Sequence, residues 1–390
     1  MAAPMICKLA LEDGTVATGE SVGAPGTTTG EVVFNTAMTG YQEIITDPSY
    51  RGQIVVMTSP QIGNYGVNEQ DGESNGTHLS GLVMRECARR YSNHRATGSL
   101  PEFLTSHGVP GISGVDTRGI TRRLRTAGAM RGALSTELLD DRKLVELARS
   151  IPVMEGRDLA REVMPAESYA WTEPLQPDCD SEPKYKVVAI DCGIKRNILR
   201  SLIDIGSEVH VVPGHVGAEQ ILAREPTGVL VGNGPGDPAS VTATIETLKH
   251  LVGRVPIFAI CLGHQMLALA LGGKTYKLSF GHHGANHPVL NMATSRVEIT
   301  SQNHGFAVDT DSLADTNLYP THTSLYDGSL EGFAHRSEPI FAVQYHPEAA
   351  PGPHDSTYLF DTFAHNMRTD RPAASFAARP GLPYPCSRPR

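Results

Sequence analysis

The sequence predicts an α/β protein in two parts: a mixed α+β amino-terminal part, then an open, mostly parallel sheet flanked by helices. Three observations support this prediction. The chain has 390 residues, a length that suits two domains of ordinary size. From residue 184 onward, short apolar runs alternate with helical segments, the pattern of a parallel sheet covered on both faces. Before about residue 134, short β-rich runs alternate with Gly, Thr and Asn turns.

Composition and charge narrow the class of protein. Hydrophobic residues make up 40% and charged residues 19% of the chain, as expected for a protein that buries a core. The 33 Lys and Arg against 42 Asp and Glu give a net charge of −9, which argues against a basic nucleic-acid surface. Six scattered cysteines without a C-x-x-C pair argue against a disulfide scaffold or structural zinc. Because residues 1–13 lack a signal-peptide pattern, we expect a reducing, cytoplasmic location.

Residues 1–150 form the first predicted domain. Its clearest strands are Glu31–Asn35 and Gln53–Thr58, which are short β-rich runs between turns. Pro101–His107 and Gly119–Ala127 have the composition and boundary residues of helices. This half of the chain is therefore expected to contain both strands and helices.

Two segments lack the periodicity of helices or strands. Residues 151–183 are predicted to be an interdomain linker, because Ala166–Pro183 is acidic, contains prolines and shows no period. Residues 369–390 are rich in proline and are expected to be disordered. The second domain, residues 184–368, lies between them.

The second domain alternates strands and helices. Its predicted strands are Lys186–Ile190, Glu208–Val212, Gly228–Val231, Pro256–Ile260, Val297–Thr300 and Ile340–Gln344. Its predicted helices are Lys195–Ile205, Ala218–Arg224, Val241–Val252 and His264–Leu271. The uncharged stretch Val255–Gly273 has the length of a membrane span. Pro256, His264 and Gln265 interrupt it, and its two halves predict a buried strand followed by a helix.

The segment Val255–Gln265, VPIFAICLGHQ, contains the sharpest chemical signal. An apolar strand leads into Cys261, Gly263 follows, and a helix begins at once. Such a strand–turn–helix elbow lifts a nucleophile to the carboxyl edge of a sheet, where ligands of open α/β folds bind. The positive end of the helix favours a thiolate, and backbone amides after the cysteine can stabilise an oxyanion. The alternative is a buried structural thiol.

A general base is available in the segment QYHPE, Gln344–Glu348, which follows an apolar strand. His346 can accept the thiol proton, and Glu348 can orient the imidazole and stabilise its charged form. Two residues of separation in an extended chain put both side chains on one side. His354 and Asp355 are alternative orienting groups that the sequence leaves open.

These motifs carry a family resemblance. CLGHQ, GNGPGDP and HPE together resemble the triad, or class I, glutamine amidotransferase domain. GHHGANHP, QNHGFAV and, in the first half, FNTAMTGYQEIITDPSY resemble the small subunit of glutamine-dependent carbamoyl-phosphate synthetase. The similarity runs from about residue 5 to residue 367. The amino-terminal stretch separates this family from other amidotransferases, and residues 1–150 correspond to its small-subunit N-terminal domain.

The resemblance implies a glutaminase reaction. Cys261 would attack the side-chain amide of L-glutamine, with His346 as base and then acid and Glu348 holding His346. A glutamyl thioester would release ammonia and then be hydrolysed to glutamate. One departure is visible, because Ala259 stands where the family usually has Gly two residues before the nucleophile. On a strand with negative φ, Ala is tolerated there.

The resemblance also implies a set of substrate contacts. The oxyanion would lie against backbone amides near Leu262 and Gly236, and Ser49 would reach the substrate from the amino-terminal domain. The full set of implied L-glutamine contacts is Ser49, Gly234, Gly236, Leu262, Gln265, Asn303, Gly305 and Phe306.

In that family, ammonia travels through a tunnel to a large partner chain. That chain uses two ATP and bicarbonate to make carbamoyl phosphate for arginine and pyrimidine biosynthesis, so the resemblance implies a heterodimer. This sequence has no P-loop, so we expect no cofactor in this chain and assign ATP and Mg²⁺ to the large subunit. Four clustered histidines lack zinc-motif spacing, and no metal is assigned to them: His282, His283, His287 and His304.

Several alternatives remain open on the sequence. The chain could be the glutaminase subunit of another amidotransferase, a cysteine peptidase of the same α/β type, or a non-catalytic regulatory subunit. Lys195 and Arg196 could bind anions, although charges at the start of a helix are more often solvated. The basic run Arg118–Arg125 is interpreted as a solvated helix face in preference to an interface.

Overall fold

The computed structural model describes residues 5–175 and 183–372. The chain divides into two compact units. Unit 1 comprises the residues up to Arg157 together with Leu278–Ala285, and unit 2 comprises the remainder. The boundary between the two units does not coincide with the predicted linker. Residues 158–175 of that linker belong to unit 2 and include a short strand, Tyr169–Trp171. The predicted tail lies outside the described residues from 373 onward.

Unit 1 combines a barrel with helices. Its strands are β1 (Ile6–Leu11), β2 (Val16–Gly23), β3 (Thr27–Asn35), β4 (Gln53–Met57), β5 (Gln61–Ile62), β6 (Gly81–Val83), β7 (Glu86–Cys87), β8 (Pro110–Ser113) and β9 (Met130–Ser135). Its helices are α1 (Tyr41–Thr46), α2 (Leu100–Ser106), α3 (Thr117–Ala127) and α4 (Asp141–Ser150). Seven strands close in the order β1-β2-β8-β6-β4-β3-β9. The mixed α+β prediction is confirmed, and the closure of the sheet is an addition to it.

Side-chain caps set the starts of helices α2 and α3 in unit 1. At α2, Ser99 Oγ accepts a hydrogen bond from the Glu102 N–H (3.3 Å), and the Glu102 carboxylate accepts one from the Ser99 N–H (3.2 Å). This reciprocal capping box satisfies two amides that the helix itself leaves unpaired. At α3, the Asp116 carboxylate accepts from the Gly119 N–H (3.0 Å). The helix therefore begins two residues earlier than the sequence predicts.

Unit 2 contains a single large sheet with helices. Its strands are β10 (Tyr169–Trp171), β11 (Tyr185–Asp191), β12 (Ser207–Pro213), β13 (Gly228–Val231), β14 (Ile257–Ile260), β15 (Thr275–Asn291), β16 (Arg296–Val308), β17 (Leu318–Ser324), β18 (Leu330–His335) and β19 (Ile340–Val343). Its helices are α5 (Arg196–Asp204), α6 (Ala218–Leu222), α7 (Thr242–Leu251), α8 (Leu262–Ala270) and α9 (Tyr358–Thr369). The middle of β15, residues 278–285, belongs to unit 1.

The strand order in unit 2 is β10-β12-β11-β13-β14-β19-β18-β17-β15-β16. The five strands from β12 to β19 in this order pair in parallel, which confirms the predicted parallel sheet. Beyond β19, strands β18, β17 and β15 pair antiparallel. The sequence analysis missed most of this extension, because its strands carry many polar residues and lack a continuous apolar run.

The parallel strands are buried on both faces. Along β14, Ile257 and Ala259 pack in one apolar cluster with side chains of α7 and α8. Phe258 and Ile260 pack in a second cluster with side chains of α5 and α9. A strand covered on both sides has no solvated face, which is why the sequence shows an uninterrupted apolar run there. The carboxyl end of β14 is thereby held rigidly.

No helix in the described part of the chain is long and apolar enough to cross a membrane. The uncharged stretch Val255–Gly273 is divided between β14 and α8, as its two halves predict.

Phe258 is expected to be a major source of stability in unit 2. Its ring is fully buried and contacts the rings of Phe341, Phe360 and Phe363 at centroid distances of 4.4, 5.7 and 5.7 Å. We expect Phe258→Ala to lower the free energy of unfolding by about 3–5 kcal/mol, because it leaves a cavity. Urea denaturation measures the change, with exposed Met292→Ala as control, expected within about 0.5 kcal/mol of wild type. Equal midpoints for Phe258→Ala and wild type would contradict this packing.

Candidate active site

Cys261 lies at the turn between β14 and α8, with φ 54° and ψ −107°. A positive φ is strained for a residue with a side chain and is the mark of a nucleophile elbow. Backbone hydrogen bonds hold it on both sides: its N–H donates to the Val343 carbonyl (2.9 Å), and its carbonyl accepts from the Gln265 N–H (3.2 Å). Strain on the order of 1–3 kcal/mol is offset by the surrounding structure.

Two glycines permit the close approach of chain segments around the elbow. A Cβ on Gly263 would lie 2.4 Å from the Val231 carbonyl oxygen, and one on Gly234 would lie 2.2 Å from that of Cys192. Neither position tolerates a larger residue without movement of the backbone. Ala259 differs, because it lies within β14 in regular parallel register and is not among the described residues with positive φ. Alanine therefore leaves the elbow intact.

The imidazole of His346 faces a carboxylate. His346 Nδ1 and Glu348 Oε1 are 2.6 Å apart, and both side chains are buried. The His346 backbone N–H donates to the Ser301 carbonyl (2.9 Å), which fixes the segment against β16. The two alternative orienting groups, His354 and Asp355, are exposed. The Asp355 carboxylate accepts from the Ile299 N–H (2.9 Å), so the geometry favours Glu348.

The other nitrogen of His346 is Nε2, and the imidazole also interacts with the Cys261 thiol. Its Nε2 is buried and has no hydrogen-bond partner among the described residues. The Cys261 thiol is 2% exposed and donates to the Asn303 carbonyl oxygen (3.5 Å). An unpartnered imidazole nitrogen beside a buried thiol is the arrangement that proton transfer requires.

Lys195 is a site residue that the sequence analysis missed. Its Nζ is 2.8 Å from Glu348 Oε1, the same oxygen that contacts His346, and its side chain is 2% exposed. Its backbone N–H donates to Asn233 Oδ1 (3.0 Å). The expectation of a solvated charge is wrong, because the ion pair buries it. Its position just after strand β11, at the carboxyl edge of a parallel sheet, is the signal that could have found it.

The Glu348 carboxylate stays charged despite burial because two cationic groups lie beside it. Burial raises the pKa of Glu348, but the neighbouring Lys195 and His346 outweigh it and lower that pKa to about 2. Burial lowers the pKa of His346, but the Glu348 carboxylate outweighs it. The charge of Lys195 lowers the pKa of His346, and the interaction with the Cys261 thiol raises it. The resulting pKa of His346 is about 10. The Glu348 carboxylate thus favours the protonated form of the His346 imidazole.

Four of the predicted substrate residues are linked to Cys261 or to one another within unit 2: Leu262, Gln265, Asn303 and Phe306. Gln265 is buried, and its Nε2 donates to the Phe306 carbonyl (2.7 Å) and to Gln344 Oε1 (2.9 Å). Asn303 presents its carbonyl to the thiol. Leu262 is the first residue of α8, so its backbone amide has no acceptor within the helix.

The remaining predicted contacts lie in strands, loops and turns. Gly305 lies in β16. Gly234 and Gly236 lie in the loop after β13, and Gly236 has φ 92°. Ser49 lies in unit 1, in the 3-10 turn Pro48–Tyr50, where its N–H donates to Asp47 Oδ1 (2.9 Å). Its part in substrate binding stays a prediction.

The fold and the site agree with comparisons to known protein families. Residues 188–366 match the family model described as glutamine amidotransferase class-I, which confirms the predicted class of the second domain. Residues 9–134 match the model described as carbamoyl-phosphate synthase small chain, CPSase domain. The chain belongs to the carbamoyl-phosphate synthase small-chain family. Membership confirms the predicted role as the glutamine-hydrolysing subunit of such a synthase.

Individual relatives match almost the whole chain. The carbamoyl phosphate synthase small chain of Rhodopirellula baltica is 53% identical over 375 residues, covering 92% of this chain and 96% of the relative. The carbamoyl phosphate synthase small chain of Syntrophotalea carbinolica is 53% identical over 369 residues, covering 93% of this chain and 98% of the relative. A crystal structure of a glutamine amidotransferase from Thermotoga maritima, 17% identical with a TM-score of 0.33, covers 42% of this chain and 76% of that one. It is too distant to inform the site.

The contact between His346 and Glu348 predicts a pH dependence of stability. A pKa raised from 6.5 to about 10 in the folded protein contributes stability that is full below pH 6.5 and is lost as pH rises towards 10. We expect the free energy of unfolding of wild type to fall across this window, by at most about 1.4 kcal/mol per pH unit. In Glu348→Gln, burial dominates the pKa of His346, and this loss disappears.

Urea denaturation at several pH values between 6.5 and 9.5 measures the effect. Asp355→Asn, an exposed carboxyl with no contact to His346 among those described, is the control and should follow the wild-type curve. Parallel pH profiles for wild type and Glu348→Gln would contradict the assignment.

Proposed function

We propose that this chain hydrolyses L-glutamine through Cys261, His346 and Glu348 and passes the ammonia to a large synthetase chain. The observation that carries the proposal is the buried His346–Glu348 contact (2.6 Å) in the same unit as a thiol on a strained elbow. A structural thiol requires neither an elbow nor a neighbouring buried imidazole. Family membership indicates that the substrate is L-glutamine and that the reaction is hydrolysis of its side-chain amide.

The reaction begins at the amide carbon of glutamine. Cys261 Sγ forms a bond to that carbon, its proton having passed to His346 Nε2, and the carbonyl oxygen becomes an oxyanion. The amides of Leu262 and Gly236 stabilise the oxyanion. His346 then gives its proton to the amide nitrogen, the carbon–nitrogen bond breaks, and ammonia leaves a glutamyl thioester.

Hydrolysis of the thioester completes the cycle. His346, now neutral at Nε2, accepts a proton from a water molecule as that water attacks the thioester carbon. The carbon–sulfur bond breaks, glutamate departs, and the thiolate with its protonated imidazole is restored. Glu348 keeps Nδ1 protonated and the ring oriented throughout. Lys195 acts through Glu348 as a positioning residue, because it holds the carboxylate charged.

The substrate site and the partner follow from the family. L-glutamine would contact Ser49, Gly234, Gly236, Leu262, Gln265, Asn303, Gly305 and Phe306. The large chain would bind ATP and Mg²⁺, receive ammonia through a tunnel, and make carbamoyl phosphate for arginine and pyrimidine synthesis in the cytoplasm. This chain itself needs no cofactor for the thiol chemistry.

The decisive experiment measures glutamine hydrolysis by the purified chain, alone and with a carbamoyl-phosphate synthetase large subunit, ATP and bicarbonate. We expect strong stimulation on mixing, with carbamoyl phosphate appearing. Hydrolysis without stimulation would point to a different synthetase partner. No hydrolysis in either sample would contradict the proposed function.

Cys261→Ser tests the nucleophile. We expect it to abolish glutamine-dependent synthesis, a loss of at least about a thousandfold, because the hydroxyl is far less nucleophilic than the thiolate. Ammonia-dependent synthesis by the complex should remain, since that path bypasses the thioester. Cys192→Ser is the matched control, because Cys192 is a buried free thiol outside the triad. Loss of both activities in Cys261→Ser, or equal loss in Cys192→Ser, would argue for a structural role.

Ser49→Ala tests the contribution of the amino-terminal unit to binding. We expect the KM for glutamine to rise more than kcat falls, because a hydroxyl that contacts the substrate adds binding energy in both ground and transition states. Ser113→Ala, at an equally buried serine of unit 1, controls for loss of stability. An unchanged KM in Ser49→Ala would remove this residue from the substrate site.

A further inference from the structure

A closed ring of buried hydrogen bonds lies behind the predicted glutamine contacts of unit 2. Its members come from α8, β16, β18 and the segment after β19, and each is at most 5% exposed. They are Gln265, Phe306, His304, Gln302, Glu331 and Gln344. The proposed reaction gives no role to Gln302, His304, Glu331 or Gln344, although the ring passes through two predicted substrate contacts.

The orientation of the Gln302 amide is fixed by Thr300. The Thr300 hydroxyl donates to the His287 carbonyl (3.0 Å), so its oxygen acts as acceptor towards Gln302 (3.2 Å). The group facing it must be the amide nitrogen of Gln302, which also donates to Glu331 Oε2 (2.8 Å). The Gln302 oxygen is therefore turned towards His304.

Both nitrogens of His304 face hydrogen-bond acceptors. Nε2 is 3.0 Å from Gln302 Oε1, and Nδ1 is 2.7 Å from the Phe306 carbonyl oxygen. Neither acceptor can donate, so each ring nitrogen must carry a hydrogen. An imidazole protonated at both nitrogens is positively charged. The Glu331 carboxylate, one oxygen of which lies within 4.8 Å of a ring nitrogen of His304 and of one of His282, supplies the balancing charge.

The remaining bonds close the ring on the predicted substrate side. The Phe306 carbonyl also accepts from Gln265 Nε2 (2.7 Å), whose second hydrogen goes to Gln344 Oε1 (2.9 Å). The Gln344 backbone N–H donates to the Glu331 carbonyl (2.9 Å). The side chains of Glu331 and Gln302 are therefore linked to Phe306 and Gln265 through His304.

We propose that Gln302 and Glu331 are positioning residues for glutamine binding, which hold His304 as a cation and fix the segment from Asn303 to Phe306. This inference rests on the proposed function. The ring holds the Phe306 carbonyl through His304 Nδ1 and Gln265 Nε2, at the end of a segment that contains three predicted substrate contacts. The ring thus acts on binding of the substrate and leaves the thiol chemistry to the triad.

The test uses the complete synthetase, formed from this chain and a large subunit. We expect Gln302→Leu to raise the KM for glutamine about tenfold, with kcat changed by less than about threefold and ammonia-dependent synthesis unchanged. Glu331→Gln should raise the KM as well, because it keeps an acceptor for Gln302 but removes the counter-charge of His304. Thr244→Val is the matched control: Thr244 is buried and donates to the Gly214 carbonyl (2.7 Å), and its loss should leave the KM unchanged.

A spectroscopic measurement tests the charge of His304 independently of activity. Nitrogen-15 NMR of the chain labelled at histidine, with His304→Asn used for assignment, distinguishes an imidazolium from a neutral ring. We expect an imidazolium signal for His304 at neutral pH in wild type, and its loss in Gln302→Leu. A neutral ring in wild type would overturn the inference.

The outcomes separate this inference from the proposed function. An inactive wild type with an imidazolium at His304 would contradict the function and leave the ring as described. An active wild type whose Gln302→Leu and Glu331→Gln variants keep their KM would overturn the positioning role. Equal rises in KM for Gln302→Leu and Thr244→Val would also overturn it, since they would reflect a general loss of structure.

Discussion

The interaction on which the site depends is the sharing of one buried carboxylate oxygen, Glu348 Oε1, between His346 (2.6 Å) and Lys195 (2.8 Å). An isolated carboxylate at this depth would be neutralised, because burial penalises charge. Two cationic partners reverse that preference. The charged carboxylate in turn keeps the imidazole protonated and aimed. The carboxylate is therefore kept charged by both cations, and the proposed triad has a fourth residue beside it.

The parallel sheet brings these groups together from distant parts of the chain. Lys195 follows β11, Cys261 follows β14 and His346 lies just beyond β19. Because parallel strands end at one edge, residues far apart in sequence meet there without long loops. Burial of the strands on both faces keeps that edge rigid, which is what a strained residue such as Cys261 requires.

The sequence allowed the fold class, the elbow and the His346–Glu348 pair to be predicted, because these depend on local patterns: an apolar run before Cys261, Gly263 after it, and a two-residue spacing in QYHPE. The position of Lys195 after β11 pointed to the site, but its ion pair could not be predicted in this way, since the partner lies 153 positions away and no local pattern records it. Closure of the barrel was missed for the same reason. Pairing partners depend on tertiary contacts that periodicity does not encode.

The short strand Tyr169–Trp171 bears on how the amidotransferase unit can be separated from the rest of the chain. It pairs antiparallel with β12 and covers an edge whose backbone groups would otherwise be open to another chain. Next to it, Glu173 forms an ion pair with Arg200 of α5 (2.7 Å). A fragment starting at residue 184, where the βαβ pattern begins, would expose that edge and invite aggregation. The natural boundary of the unit lies near residue 158, well before the first strand that the sequence reveals.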